Sequence, residues 1–168
     1  MQSDAPVPPF SELRIATAEG SDPSLDEAIA QTLRLIRQRT RMDVVFVSEF
    51  TQGQRVFRHV EESPDKAVLA TGAGNALEDS WCQRVVDGRI PEFIADAAPY
   101  VASGAVPAPP FPVGTHISTP IVLHDGRVYG TLCGFSFAVN AQSTEADLDF
   151  LRYAAQLTAQ ILDADRPA

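Results

Sequence analysis

Apolar residues recur at helical spacing near the beginning of the chain. Four of them fall on one face of a helix: Leu25, Ile29, Leu33 and Ile36. We expect this helix to run to about Thr40. Two starts fit the sequence, because Asp22 can cap the helix with Pro23 in its first turn, or Ser24 can cap it with Glu27 three residues later.

A second helical pattern lies near the other end, from about Thr144 to Ala164. Thr144 with Asp147 resembles a capping box at its start. The apolar stripe is wider than one core-facing side requires and comprises Leu148, Leu151, Ala155, Leu157, Thr158, Ile161 and Leu162. This width indicates a second contact for the helix, such as another subunit.

Between the helices, short apolar runs predict two β-hairpins. Strands Met42–Phe50 and Arg55–Glu61 flank a polar turn at residues 51–54. Strands Ile117–Leu123 and Val128–Phe137 flank a turn that contains Asp-Gly. Asp-Gly between two such runs is the strongest short-range hairpin signal in the chain, because both residues tolerate the positive φ of a tight turn.

The segments between the hairpins carry weaker patterns. Residues 62–79 are polar and are interpreted as mostly loop, whereas Ser80–Asp87 predicts a short helix and Ile90–Ile94 a short strand. Five prolines and two glycines lie in Asp96–Thr115, a density that predicts no regular element. A loop of about twenty residues inside a compact domain is usually functional or disordered, which makes this segment a candidate lid.

The order of these elements predicts the fold class. Because the strands lie in hairpins, we expect an α+β fold with a central antiparallel sheet, the terminal helices on one face and the long middle segments on the other. A chain of 168 residues suits one domain, which we assign to residues 21–165. Residues 1–20 contain several prolines and are interpreted as a flexible N-terminal arm.

Charge and composition narrow the set of partners. The formal net charge of −9 repels phosphate backbones and anionic headgroups, so we expect neither nucleic acid nor a membrane as a partner. No run approaches the ~20 apolar residues of a spanning helix, and no export signal is visible. Cys82 and Cys133 lie in no metal-ligand spacing, so we expect no metal site. Because no export signal is visible, we expect both thiols to be reduced and the protein to be cytoplasmic.

Three stretches resemble a known family. Residues 25–50 are a helix leading into a strand that ends Val-Ser-Glu-Phe. Residues 80–91 read Ser-Trp-Cys-Gln-Arg-Val-Val-Asp-Gly-Arg-Ile-Pro, followed by Ile-Ala-Asp-Ala at 94–97. Residues 116–134 join a Pro-apolar-apolar strand, the Asp-Gly turn and a Tyr-Gly-Thr-Leu strand. In these stretches, which together cover roughly residues 22 to 163, the chain resembles the GAF family of sensory domains.

The resemblance implies both an architecture and a role. It implies five or six antiparallel strands, helices from both ends on one face, a ligand cavity on the other, and terminal helices that pair in a homodimer. Such domains lie upstream of cyclic-dinucleotide enzymes, histidine kinases or transcription regulators. This chain has no room for such an output domain, so we expect it to act through another polypeptide or to be a piece of a longer protein.

The resemblance leaves the cofactor unknown. Relatives that attach a tetrapyrrole have a cysteine followed by histidine, and neither Cys82 nor Cys133 is, so we expect no covalent tetrapyrrole. Relatives that bind cyclic nucleotides need donors for the phosphate, and we expect mainly Arg84 and Arg89 on the cavity side. Relatives that reduce free methionine sulfoxide use a set of cavity cysteines, in an arrangement that these two do not match.

Eight residues are candidate ligand contacts: Trp81, Cys82, Asp96, His116, Ser118, Thr131, Cys133 and Ser48. Trp81 either stacks on a planar ligand or fills the core. Cys82 begins a short helix, whose amide dipoles lower a thiol pKa, so it is either a nucleophile or redox sensor or a small buried hydrophobe. Cys133, on a central strand, lines the core or the cavity.

The polar candidates also have two interpretations each. Asp96 accepts a hydrogen bond from a ligand or caps a turn. His116 contacts the ligand or is a satisfied structural residue. Ser48, Ser118 and Thr131 are the few polar anchors of a mostly apolar pocket, or they are hydrogen-bonded core residues.

No nucleophile, base and orienting residue recur at a recognisable spacing, so we expect no enzyme. The main hypothesis is a sensory domain of bacterial signal transduction that binds a small molecule of unknown identity and passes its state to an output domain or protein. One alternative is a thiol-based redox sensor or reductase that uses Cys82 and Cys133. The other is a dimerisation module without a ligand.

Overall fold

The computed structural model describes residues 23–165, so the predicted arm at residues 1–20 and the Asp22 cap lie outside the described residues. Its helices are α1 (Pro23–Thr40), α2 (Trp81–Val86), α3 (Ala98–Ala102) and α4 (Glu145–Asp165). Its strands are β1 (Val44–Thr51), β2 (Gln54–Glu62), β3 (Gly74–Ala76), β4 (Phe93–Ile94), β5 (His116–Val122) and β6 (Val128–Phe135). They form one sheet of order β3-β2-β1-β6-β5-β4, in which every pair is antiparallel. The predicted α+β class and antiparallel sheet are confirmed.

The terminal helices cover one face of the sheet. α1 packs on β1 and β2, α4 packs on β5 and β6, and the two helices contact each other. Their apolar faces bury side chains such as Leu33 and Leu151 against Val47 and Ile121 of the sheet. At the start of α4, the Thr144 hydroxyl accepts from Ala146 N at 3.2 Å, as its predicted cap requires.

Both predicted hairpins are present with tight turns. Gln52 and Gly53 have φ values of 52° and 76°, the left-handed conformation that joins β1 directly to β2. In the second hairpin, the Asp125 carboxylate accepts from Arg127 N at 2.9 Å and Gly126 has φ 90°. The order of the paired strands therefore follows from turn chemistry that the sequence shows.

The other face of the sheet is covered by the middle of the chain, with more regular structure than its composition predicts. Residues 62–79 contain β3 and two 3-10 turns, Pro64–Lys66 and Leu77–Asp79. The prediction that residues 96–115 hold no regular element is wrong, because α3 forms there with Pro99 in its first turn, where a proline costs no hydrogen bond. The predicted strand at residues 90–94 is reduced to the two residues of β4.

Among the described residues, no helix is long and apolar enough to cross a bilayer.

Candidate functional site

A pocket lies between the sheet and the segments that cover its second face. Its inner part holds about 60 Å³ and opens into a wider cleft of about 550 Å³ between residues 68–75 and 107–111. Both parts share Arg55, Phe57, Leu69, Trp81, Pro109 and Phe111, so they form one continuous site. The predicted hollow on this face is present, and its combined size suits a small molecule.

Aromatic side chains make most of the inner wall. Phe111, from the irregular segment before β5, stacks on Phe135 of β6 with ring centroids 5.3 Å apart and planes 8° apart. Phe46 of β1 and Phe57 of β2 meet edge to face at 5.0 Å. Strand alternation places the three strand-borne rings on this face, where they offer apolar surface to a flat apolar body.

Arg55 supplies the positive charge of the inner pocket. Its guanidinium carbon lies 4.5 Å from the ring centroid of Phe57. Its Nε donates to Asn75 Oδ1 at 3.1 Å, and its Nη1 donates to Cys82 Sγ at 3.2 Å. None of these partners is a carboxylate, and no carboxylate of the described residues lies within ion-pair distance of Arg55.

Trp81 joins the sheet to the covering segment. Ser80 caps α2 by accepting from Gln83 N at 3.0 Å, which sets Trp81 as the first residue of the helix. The indole Nε1 donates to Pro107 O at 3.0 Å, and the indole lies 5.0 Å from the His116 ring. This hydrogen bond joins the first residue of α2 to the segment around Pro107.

His116 lines the inner pocket and is almost fully buried. Its Nε2 lies 3.3 Å from Cys133 Sγ, whereas Nδ1 has no hydrogen-bond partner among the described residues. Burial, with a smaller contribution from the charge of Arg55, lowers the pKa of His116 to about 3. The imidazole is therefore neutral at pH 7, and its Nδ1 is a buried polar atom without a partner in the described chain.

The two thiols lie beneath the pocket floor, fully buried and free. The neighbouring Cys133 thiol and then the charge of Arg55 hold the pKa of Cys82 below its ordinary value, although burial opposes them. Burial, followed by the interaction with Cys82, raises the pKa of Cys133. Cys82 is thus the member of the pair that ionises first.

The remaining predicted ligand contacts lie either beneath the pocket floor or on the protein surface. Ser48 and Thr131 are fully buried and share a hydrogen bond of 2.8 Å, and Ser118 is fully buried opposite Cys133 in the β5–β6 register. Asp96 is exposed and lines neither part of the pocket. Its carboxylate accepts from Ala98 N at 3.1 Å, which is the turn role that the sequence offered as the alternative.

Sequence reasoning assigned the cavity cations to the wrong arginines. Arg84 donates to Glu78 O and Ser80 O, Arg89 pairs with Asp87, and neither lines the pocket. The arginine that lines the pocket is Arg55. Its signal in the sequence is the period-2 alternation of β2, which places Arg55 on the same face as Phe57.

Within residues 23–165, no group of three or more His, Cys, Asp or Glu side chains is arranged to hold a metal ion.

The chain matches a known family over nearly all of the described fold. The family model described as "GAF domain" matches residues 22–163, most of the chain. The chain belongs to the GAF domain family. GAF domains are sensory domains that bind small molecules, often within signalling proteins, although some members are enzymes.

Solved structures share the fold of this GAF domain. A putative GAF sensor protein from Burkholderia vietnamiensis superposes with a TM-score of 0.67 at 17% identity, over 94% of this chain and 91% of that one. A free methionine-R-sulfoxide reductase from Neisseria meningitidis, solved with its substrate, gives 0.65 at 16% identity, over 94% and 90%. At such identities the likeness extends to the fold alone.

A curated relative adds a signalling context. Diguanylate cyclase DgcP of Escherichia coli strain K12 is 25% identical over 154 residues, which are 90% of this chain and 44% of that protein. The GAF domain described here therefore spans less than half the length of the relative that it matches.

Proposed function

We propose that this GAF domain is a small-molecule sensor in bacterial signal transduction. The ligand enters the cleft between residues 68–75 and 107–111 and lies against the aromatic wall of the inner pocket. The observation that carries the proposal is this pocket, which is lined by rings, bears two polar side chains, Arg55 and His116, and is covered by mostly irregular chain.

The output of the sensor is a second domain or protein. In DgcP the matched region is part of a longer diguanylate cyclase, which supports an output domain of signalling type in the same polypeptide or in a partner. Trp81 connects the cover segment with α2, and α2 contacts β5 and β6, on which α4 packs. Ligand-induced movement of the cover segment therefore has a contiguous route to a terminal helix.

We also propose that the terminal helices pair in a homodimer. Leu35 of α1 and Tyr153 of α4 are 55% and 58% exposed, and Leu157, one turn after Tyr153, is 37% exposed. Burying such side chains between subunits is favourable. Sedimentation of the wild type and of Tyr153→Glu tests this, and a wild type that stays monomeric at high concentration contradicts it.

Native mass spectrometry of the protein as purified from cells tests ligand binding directly. We expect a non-covalent mass that is absent from the denatured spectrum. Because Trp81 is the single tryptophan and lines the pocket, its fluorescence provides a second readout when stripped protein is mixed with a metabolite extract. An unloaded native mass together with an unresponsive Trp81 would contradict the sensor proposal.

A thiol-based redox sensor or reductase is the second candidate, because Arg55 donates to Cys82 and the pKa of Cys82 is lowered, first of all by Cys133. Oxidation by one peroxide molecule would convert the two thiols into one disulfide and release two molecules of water. Peptide mapping without reductant, after peroxide treatment, tests for that disulfide. Thiols that both stay free would exclude this candidate.

A further inference from the structure

The inner pocket contains a cation that no carboxylate of the described residues neutralises, and the acidic group that contacts it is the buried Cys82 thiol, at 3.2 Å. Of the residues that line it, Arg55 is the charged one, because His116 is neutral at pH 7. Asp79 lines only the outer cleft and makes no ion pair with Arg55. A guanidinium half-buried among rings loses hydration, and this loss is costly unless an anion compensates it.

Arg55 has N–H groups that make no hydrogen bond to the described residues. Nε and Nη1 use one N–H each, on Asn75 and Cys82, and Nη2 has no hydrogen bond to the described residues. A guanidinium has five N–H groups arranged to match a carboxylate in two parallel bonds. Cys82 is fully buried and does not line the pocket, so the sulfur does not occupy the pocket space that Arg55 borders.

A second polar atom beside the pocket also lacks a partner. His116 is 4% exposed, lines the inner pocket, and its Nδ1 makes no hydrogen bond within the described chain. A buried polar atom without a partner costs free energy. Arg55 and His116 are thus the two polar side chains that line the inner pocket.

Charge and shape restrict what the ligand can be. One guanidinium balances one negative charge, and a chain with a net charge of −9 disfavours ligands that carry two or more. The wall offers the parallel pair Phe111–Phe135 and the edge-to-face pair Phe46–Phe57. Rings in this arrangement favour a flat apolar body over a sugar or a flexible polar chain.

We propose that the pocket binds a small aryl monocarboxylate, whose carboxylate pairs with Arg55 and whose ring lies against the phenylalanine wall. This inference rests on the proposed function, because it specifies the ligand class of the same pocket. The pairing is charge-assisted and lies in a partly dehydrated site, so removing the ligand's charge should weaken binding by about tenfold or more.

Three probes of similar size test the proposal: benzoate, its neutral analogue benzamide, and phenyl phosphate. Trp81 fluorescence reports binding to the wild type, to Arg55→Gln and to Arg58→Gln. Arg58 is the matched control, because it lies on the same strand, pairs with Glu49 at 2.8 Å and does not line the pocket. We expect saturable binding of benzoate, at least about tenfold weaker binding of benzamide, and loss of this preference in Arg55→Gln but not in Arg58→Gln.

Each alternative outcome has a distinct meaning. Equal binding of benzoate and benzamide by the wild type overturns the anion proposal and leaves the sensor proposal intact, and this comparison needs no variant to fold. A benzoate preference that survives in Arg55→Gln, or tighter binding of phenyl phosphate, also overturns it. A wild type that responds to none of the probes overturns it as well, and the sensor proposal falls too only if the metabolite extract also gives no response.

Discussion

Lowering the pH from 7 to 5 should destabilise this domain through His116. In the folded chain the pKa of this side chain is about 3, against 6.5 without the protein environment. Between these values the unfolded chain binds a proton on this residue and the folded chain does not. Stability is therefore full above the unfolded pKa and falls as the pH decreases below it.

The magnitude follows from the difference in pKa. At pH 5 the unfolded chain is 1.5 units below its pKa of 6.5, while the folded imidazole is still neutral. With about 1.36 kcal/mol for each unit, His116 lowers the free energy of unfolding by about 2 kcal/mol between pH 7 and pH 5. The side chain is 4% exposed, so solvent screening does not reduce this figure greatly.

Urea unfolding at pH 7 and pH 5 measures the effect when wild type is compared with His116→Gln. Other groups titrate in both proteins, including His59, whose pKa burial also lowers, so the difference between the two pH dependences isolates His116. His124→Gln is a control, because Asp163 raises the pKa of that exposed residue and its loss should not reduce the acid sensitivity. An equal loss of stability in wild type and His116→Gln would refute the reasoning.

Three further predictions rest on single contacts. Gly130→Ala should lower the free energy of unfolding by about 3 kcal/mol or prevent folding, because its Cβ would lie 1.9 Å from Ser48 O. Gly134→Ala should have a mild effect, because its nearest contact is a flexible methionine side chain at 3.4 Å. Urea unfolding compares the two variants. Ser80→Ala should cost about 1 kcal/mol in the same assay by removing the cap of α2. Arg55→Gln should raise the pKa of Cys82, which is measured by the ultraviolet absorbance of the thiolate as the pH is varied. An unchanged titration would contradict the Arg55–Cys82 contact.

The parts of the fold that the sequence predicts are those with local causes. Alternation, the Asp-Gly turn and the Thr144 cap each act within a few residues, so both hairpins and both long helices follow from them. β3 has no such local signal, because Gly-Asn-Ala becomes a strand only by pairing with β2 in the folded chain. The two strands approach so closely that a Cβ on Gly74 would lie 2.6 Å from Arg55 O. α3 was missed because proline density was interpreted without regard to helix position.

The candidate site is less accessible to sequence reasoning, because its residues meet across the chain. Trp81 and His116, which the family-like stretches put forward as candidate contacts, both line the inner pocket. Phe111 and Leu69 come from irregular segments, where no periodicity shows which side chains turn inward. Arg55 and Phe57 share a face by alternation on the predicted strand, but Asn75 and Cys82, the hydrogen-bond partners of Arg55, come from other parts of the chain, where alternation gives no information.

The position of Arg55 on β2 indicates which terminal helix responds first to an anionic ligand. α1 contacts β1 and β2, whereas α4 contacts β5 and β6. Arg37 of α1 lies 3.6 Å from Glu61 at the end of β2 and donates to Asp43 O at 3.2 Å, so α1 is bound to both sides of the β1–β2 hairpin. We therefore expect a ligand that pairs with Arg55 to act on that hairpin before it acts on β5.

Amide hydrogen exchange with and without saturating benzoate tests this order. We expect greater added protection in α1 and β2 than in α4, and we expect Arg37→Gln to reduce the response of α1 while leaving benzoate affinity unchanged, because Arg37 does not line the pocket. Protection confined to α2 and α4 would show instead that the signal travels from Trp81 through β5, and that Arg55 holds the ligand without transmitting its presence.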